Sequence, residues 1–304
     1  MNDSSWPELP LEMWRDTYAT LHMWTQIVGK IRLACSTSVN HFWNCALYVT
    51  SSGLTTSPMF HGRGTFTIDF DFIDHQLRIE TSDGERREIP LAPQSVADLY
   101  HVLMATLAAM KIDVQIWTMP VEVIKPIRFT EDRVHKSYDP QQANALFRAL
   151  TQIDRVLKEF RGRFIGKASP VHFFWGSFDM AATRFNGRKA PPRPGADPIT
   201  AESYSHEEIS HGFWPGGTGA TGATLDSAAF YAYAAPEPNG FREAKIQPAE
   251  AFYSTEFGEY FLRYDDVRRA PSPDQALLDF CQSTYEAGAN LAKWDRAALE
   301  RSKA

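Results

Sequence analysis

Several familiar class markers are missing from the chain, and each absence narrows what it can be. It has three cysteines, Cys35, Cys45 and Cys281, odd in number, widely spaced and each in an apolar context. That argues against a disulfide framework and for reduced thiols in a cytoplasmic protein. No stretch approaches the roughly 20 apolar residues that span a bilayer. Trp6, Glu8, Glu12 and Asp16 interrupt the first 30 residues, so no charged segment is followed by an apolar signal core. No long basic run occurs, and 31 Lys and Arg stand against 37 Asp and Glu, a net charge of −6. Neither nucleic acid nor a membrane is therefore expected as a partner. The nucleophile-elbow pattern GxSxG is also missing, since Ser177 sits in WGSFD with a single glycine.

Aromatic residues are plentiful: 8 Trp, 11 Tyr and 20 Phe in 304 residues, enough to fill a core and still line a pocket. Leu11, Trp14, Tyr18, Leu21, Thr25 and Val28 recur at helical spacing after Pro10, predicting a helix that ends near Gly29. Strands are expected over KIRLA and over NHFWNCALYVT, where His41, Trp43, Cys45, Leu47 and Val49 would share a face. TFTIDFDFIDHQLRIETSDG reads as a β-hairpin with Phe66, Ile68, Phe70 and Phe72 inward and an acidic side toward water. Ser95 with Asp98 marks the start of a helix carrying Val96, Leu99, Leu103, Leu107 and Met110. A strand, VQIWTMPVEVI, and a polar linker near Phe129 to Pro140 close the first half.

The second half repeats this order. Leu146, Leu150, Ile153, Val156 and Phe160 each lie 132 residues after Trp14, Tyr18, Leu21, Trp24 and Val28, and His172 lies 131 after His41. The expected fold class is therefore α+β. It has two similar lobes of antiparallel sheet with flanking helices, 1–135 and 136–304, related by internal duplication. The second lobe carries an insertion, 186–229, with Pro-rich and Gly-rich flanks that would let it act as a lid.

Candidate site residues concentrate in Lys167 to Arg184. If Gly176 and Ser177 form a bulge, His172 and Asp179 come together as an oriented imidazole and carboxylate, the arrangement of a general base. The alternative is a core histidine bonded to backbone. His206, Glu207 and His211 in HEEISH have their histidines five apart, so the sequence is not the zinc-peptidase HExxH, and no metal is expected. Gly217 to Gly222 formally match GxGxxG, but a Trp-Pro-Gly precedes and a strand follows. A turn-rich lid is the reading, and no cofactor is expected. His206, Glu207, Tyr204, Phe213 and Trp214 would bring the lid onto the His172 strand. His41 and Asn44 would mirror His172 across the lobes, with packing as the alternative role of His41. Trp175 adds an aromatic wall. Arg184 offers a fork for a carboxylate or phosphate, or else a strand-end salt bridge. Cys45 and Cys281 on apolar faces are expected to be inert.

WPELP, QIVGKIRLA, NHFWN, SPVHFFWGSFDMAATRF, SHEEISHGFWPGG and AYAAPEP, in that order, resemble a widespread bacterial family known only as a domain of unknown function. The resemblance covers nearly the whole chain and implies no reaction, cofactor or catalytic residue. Two functions fit the residues. One is a cytoplasmic acid–base enzyme acting on a small organic molecule through His172, Asp179, His206 and Glu207. The other is a non-catalytic small-ligand binder with an aromatic-lined cavity.

Overall fold

The computed structural model describes residues 5–219 and 221–302. Helix α1, Leu11–Cys35, runs through the expected stop at Gly29 and through KIRLA, because Ile27, Val28 and Ile31 continue the same buried stripe. The Trp175 side chain lies against Gly29, in the space a Cβ would fill. KIRLA is thus helix, not strand. NHFWNC is not a strand either: Asn40–Cys45 forms a 3-10 turn in which His41 and Phe42 have left-handed backbone, φ 59° and 56°. Only Tyr48–Val49 (β1) pairs as strand, with Gly53–Thr55 (β2).

Met59–His61 (β3), Gly64–Asp71 (β4), Gln76–Thr81 (β5) and Arg86–Pro90 (β6) complete an antiparallel sheet of order β1-β2-β4-β5-β6, with β3 beside β4. The hairpin forms as expected from its alternation, with Phe66, Ile68, Phe70, Leu77 and Ile79 buried. Its acidic side is not wholly in water. Asp71 is buried, accepting from the backbone N–H groups of Ile73 and Asp74 and pairing with Arg78. Helix α2, Val96–Ala109, starts at Ser95, whose hydroxyl accepts from the Asp98 N–H.

The expected strand VQIWTMPVEVI does not form: the segment is irregular, with bends, and pairs with no strand. Pro120 and Pro126 lack ladder donors, and Glu122 and Lys125 have positive φ. Gln26 of α1 instead takes the place of a partner strand, donating to the Val121 carbonyl and accepting from the Val121 N–H. Helix α3, Pro140–Gly162, is capped by Asp139 with proline at its first position.

The second sheet holds the candidate site. Its strands are His172–Phe174 (β7), Asp179–Lys189 (β8), His206–Trp214 (β9), Ala229–Ala235 (β12), Phe252–Ser254 (β13) and Glu259–Arg263 (β14), in the order β13-β14-β12-β9-β8-β7, all antiparallel. Between β8 and β9 lies a short helix, Pro198–Ser203 (α4); between β9 and β12 lies a small hairpin, Gly217–Thr218 (β10) with Thr224–Leu225 (β11). Ala220, inside the Gly217–Gly222 stretch, lies outside the described residues. The 186–229 segment therefore does not form one lid. HEEISHGFW is a central strand, because its residues alternate between two faces of a sheet that β8 and β12 cover on both edges.

Helices Tyr264–Arg269 (α5), Pro273–Leu291 (α6) and Arg296–Leu299 (α7) follow. Phe160 of α3 and Thr284 of α6 lie on the inner face of this sheet, touching His211 of β9. One buried apolar cluster runs from Trp24 and Leu99 through Leu146 to Phe213 and Phe280, so both sheets share a core. The sheets also meet at their edges, where Leu47 and Phe173 exchange backbone hydrogen bonds of 2.9 Å each way. The order helix, antiparallel sheet, helix recurs in both halves. The strand-for-strand match of His41 to Val49 with His172 to Met180 does not, because the first segment is a 3-10 turn and Trp175 to Phe178 is the turn between β7 and β8.

Candidate functional site

The outer face of the second sheet carries a group of buried and half-buried ionisable side chains. Strand alternation and the register Ala181 to Gly212 to Tyr231 put Asp179 of β8, Glu208 and Trp214 of β9, Tyr231 and Tyr233 of β12 and Phe261 of β14 on this face. Ala181, Leu225, Ala229, Tyr231 and Phe261 form an apolar cluster here, separate from the main core.

Gly212 makes the arrangement possible. A Cβ on it would stand 2.2 Å from Cζ of Tyr231, so the tyrosine lies across the β9 backbone and its hydroxyl donates to Asp179 on the next strand. The Tyr233 ring stacks beside it at 6.2 Å and 13°, and its hydroxyl donates to Glu208 at 3.4 Å. The Tyr204 hydroxyl, arriving from the end of α4, bonds the Tyr233 hydroxyl at 3.2 Å, and the Arg193 guanidinium covers the Tyr204 ring at 3.6 Å. Two hydrogen-bonded tyrosine–carboxyl units thus lie side by side.

Burial dominates the electrostatics. It pushes the Asp179 carboxyl up to about 7; the Tyr231 bond opposes the rise and the Glu122 charge adds to it. Burial lifts Glu208 to about 8, with Arg193, Tyr233 and Lys167 pulling the other way. Glu259, half-buried at the start of β14, is lifted to about 8 by burial and by Asp179. Burial thus brings the carboxyls of this face toward neutrality, against tyrosine hydroxyls that it pushes well above their ordinary range.

At the rim, His41 donates from Nδ1 to the Ser203 carbonyl at 2.9 Å. That leaves Nε2 to accept from the Lys167 ammonium at 2.7 Å. The His41 N–H donates to Glu202 at 3.1 Å, so His41 fastens the 3-10 turn to α4 through backbone and side chain alike. The His206 ring stands 5.7 Å from His41.

Of the residues expected from sequence, Asp179, Tyr204 and Trp214 reach this face, with Trp214 donating to the Ser177 carbonyl at 3.1 Å. His41 and His206 reach its rim. The expected pairing of His172 with Asp179 does not form. Gly176 and Ser177 make a turn rather than a bulge, Asp179 lies opposite Phe174, and neither His172 nitrogen has a hydrogen-bond partner. His172 does not meet His206, since the rings of Trp43 and His41 stand between them. Glu207 points to the other side, paired with Arg188 and Asn186. Phe213 packs inward on Tyr264 and Phe230.

Arg184 is also inside, donating to the Phe160 carbonyl at the end of α3 between the rings of Phe160 and Tyr285. It makes no strand-end salt bridge among the described residues. Asn44 accepts from the Val39 N–H in the 3-10 turn, and Trp175 donates to the Cys45 carbonyl. Burial pushes the Cys45 thiol up to about 11 and Cys281 to about 12, which favours the protonated thiol over the thiolate. Among the described residues, no three His, Cys, Asp or Glu side chains lie close enough to hold a metal ion, and no helix is long and apolar enough to cross a membrane.

Sequence reasoning missed Glu208, Tyr231, Tyr233, Glu259, Arg193 and Lys167. AFYAYA held the usable signal: tyrosines alternating with alanine place both large polar rings on one face, and Gly212 in the neighbouring strand leaves room for one of them.

No curated protein and no solved structure matches the chain. A family model does match it, over residues 6–301, and the chain belongs to that family, described as a family of unknown function (DUF5996).

Proposed function

We propose that this is a cytoplasmic protein that binds a small organic molecule on the outer face of its second sheet and moves protons within it. Asp179 is the acid–base group and Tyr231 the group that orients it. Glu208 with Tyr233 and Tyr204 forms the second acid. Trp214 and Phe257, whose rings meet at 6.1 Å, form an aromatic wall. The observation that carries this reading is the Tyr231 hydroxyl crossing Gly212 to a buried carboxyl that has no cation among its partners in the described residues and is raised by burial to about 7. A structural carboxylate is ordinarily paired or exposed; one poised between acid and base forms suits proton transfer at neutral pH.

Incubating the protein with a metabolite extract and following each component by mass spectrometry tests the proposal. A component should be consumed by the wild type and by Glu88→Gln, a change on the distant edge strand β6. Consumption should fall at least 100-fold in Asp179→Asn, the scale of a lost general acid or base. A component that is retained unchanged by the wild type would make the protein a simple binder instead.

A further inference from the structure

His172 is 1% exposed, and both its ring nitrogens lack partners. Such an imidazole is unusual, because buried polar groups nearly always find a hydrogen bond. Its surroundings are aromatic: Trp43 at 5.6 Å, Tyr48 at 5.5 Å and Phe174 at 5.2 Å. Beside them the Arg32 guanidinium, from the last turn of α1, lies 5.5 Å from the Tyr48 ring; Arg32 is 8% exposed and its Nε is also unpartnered.

The charges around this cluster are all of one sign. Arg32 and Arg161, the latter from the last turn of α3, both act on His172, and burial with these two cations pushes the imidazole down to about 3. The other titratable groups facing Arg32 are Tyr48 of β1 and Cys45 of the 3-10 turn. Neither arginine forms a salt bridge among the described residues; Arg161 donates to the Ser169 carbonyl. A buried guanidinium without a counter-charge beside an unsatisfied imidazole is costly, and an anion removes both deficits together. Trp43 and Tyr48 are only half-buried, so the cluster has a side toward solvent.

We propose that Arg32 and His172, with Arg161 behind them, bind the carboxylate or phosphate group of a small ligand. The Arg32 Nε–H and a His172 ring N–H would donate to its oxygens, with Trp43 and Tyr48 flanking it. Guanidinium forks suit either oxyanion. Arg184, the arginine that the sequence offered for this role, is spent inside the core. Neutral His172 already carries one ring N–H to donate, and a bound anion also favours its imidazolium form. This inference is independent of the proton-transfer reading: its residues are different and its test uses no turnover.

Inorganic phosphate and acetate, titrated separately into ring-15N-histidine-labelled protein at ionic strength held constant with chloride, are the probes. At least one should move the His172 ring-nitrogen signals saturably. Affinity should fall at least tenfold in Arg32→Gln and recover in part in Arg32→Lys. Stronger binding of one probe identifies the group as phosphate or carboxylate. If Arg32→Gln does not fold, the wild-type signals and the Arg32→Lys affinity decide. Signals that neither anion moves would mean that trapped water satisfies the ring, and would overturn the proposal; so would equal affinity in the folded Arg32→Gln variant.

Discussion

A single methyl group at Gly212 tests the outer face most directly. A Cβ there would stand 2.2 Å from Cζ and 2.3 Å from the hydroxyl oxygen of Tyr231, and 2.5 Å from the carbonyl oxygen of Met180. The tyrosine can swing away; the carbonyl belongs to the backbone of the adjacent strand and cannot. Gly212→Ala therefore loses the Tyr231 to Asp179 hydrogen bond, leaving a buried acceptor unmet at a cost of about 1–3 kcal/mol. Overpacking against Met180 adds about 1–3 kcal/mol. Tyr231→Phe removes only the hydroxyl and should cost about 1–3 kcal/mol.

Urea denaturation followed by tryptophan fluorescence should thus rank wild type above Tyr231→Phe, and Tyr231→Phe above Gly212→Ala. In a Tyr231→Ala background the methyl no longer meets a ring, so Gly212→Ala should cost less than it does alone, a coupling that a double-mutant cycle measures directly. A neutral Gly212→Ala, or an identical cost in both backgrounds, would refute the placement of Tyr231 over Gly212 and with it the basis of the Asp179 assignment.

Two further outcomes are expected. The carboxyls of Asp179, Glu208 and Glu259 are raised in the folded state to about 7, about 8 and about 8, so their contribution is fully present below pH about 4 and is lost as pH rises through 7 to 8. His22 and His172 are lowered to about 4 and about 3, so theirs is present above pH about 6.5 and lost as pH falls toward those values. Because three raised carboxyls outweigh two lowered histidines between those limits, stability should peak at about pH 4–5, and Asp179→Asn should flatten the alkaline side by on the order of 4 kcal/mol between about pH 4 and 8, measured as denaturation midpoints; an unchanged slope would contradict the raised carboxyl. Gly29→Ala should cost about 2–4 kcal/mol, because its Cβ would stand 2.1 Å from Cδ1 of Trp175 and displace the indole that bonds Cys45. In a Trp175→Ala background the same change should stabilise by about 0.5–1 kcal/mol, the ordinary gain of alanine over glycine inside a helix.

What the sequence determined by itself was local. Capping with period placed α2 behind Ser95, and period alone placed α3 along Leu146 to Phe160 and the β4–β5 hairpin, because those signals depend on neighbours within a few residues. It also placed Asp179, Tyr204 and Trp214 among the candidates, since unusual residue types in an aromatic setting stand out without a fold. Tertiary structure decided the rest. NHFWN alternates like a strand, yet His41 and Phe42 take left-handed angles in a turn whose His41 backbone and side chain fasten to Glu202 and Ser203, far along the chain. HEEISHGFW lies between turn-rich segments and reads as a loop, yet it is a central strand because β8 and β12 supply ladder partners on both sides. The tyrosine–carboxyl face needed both: strand alternation assigns each side chain to a face, but only pairing across β8, β9 and β12 brings Tyr231 over Gly212 to Asp179, since register between strands is set by the sheet and not by any one strand's sequence.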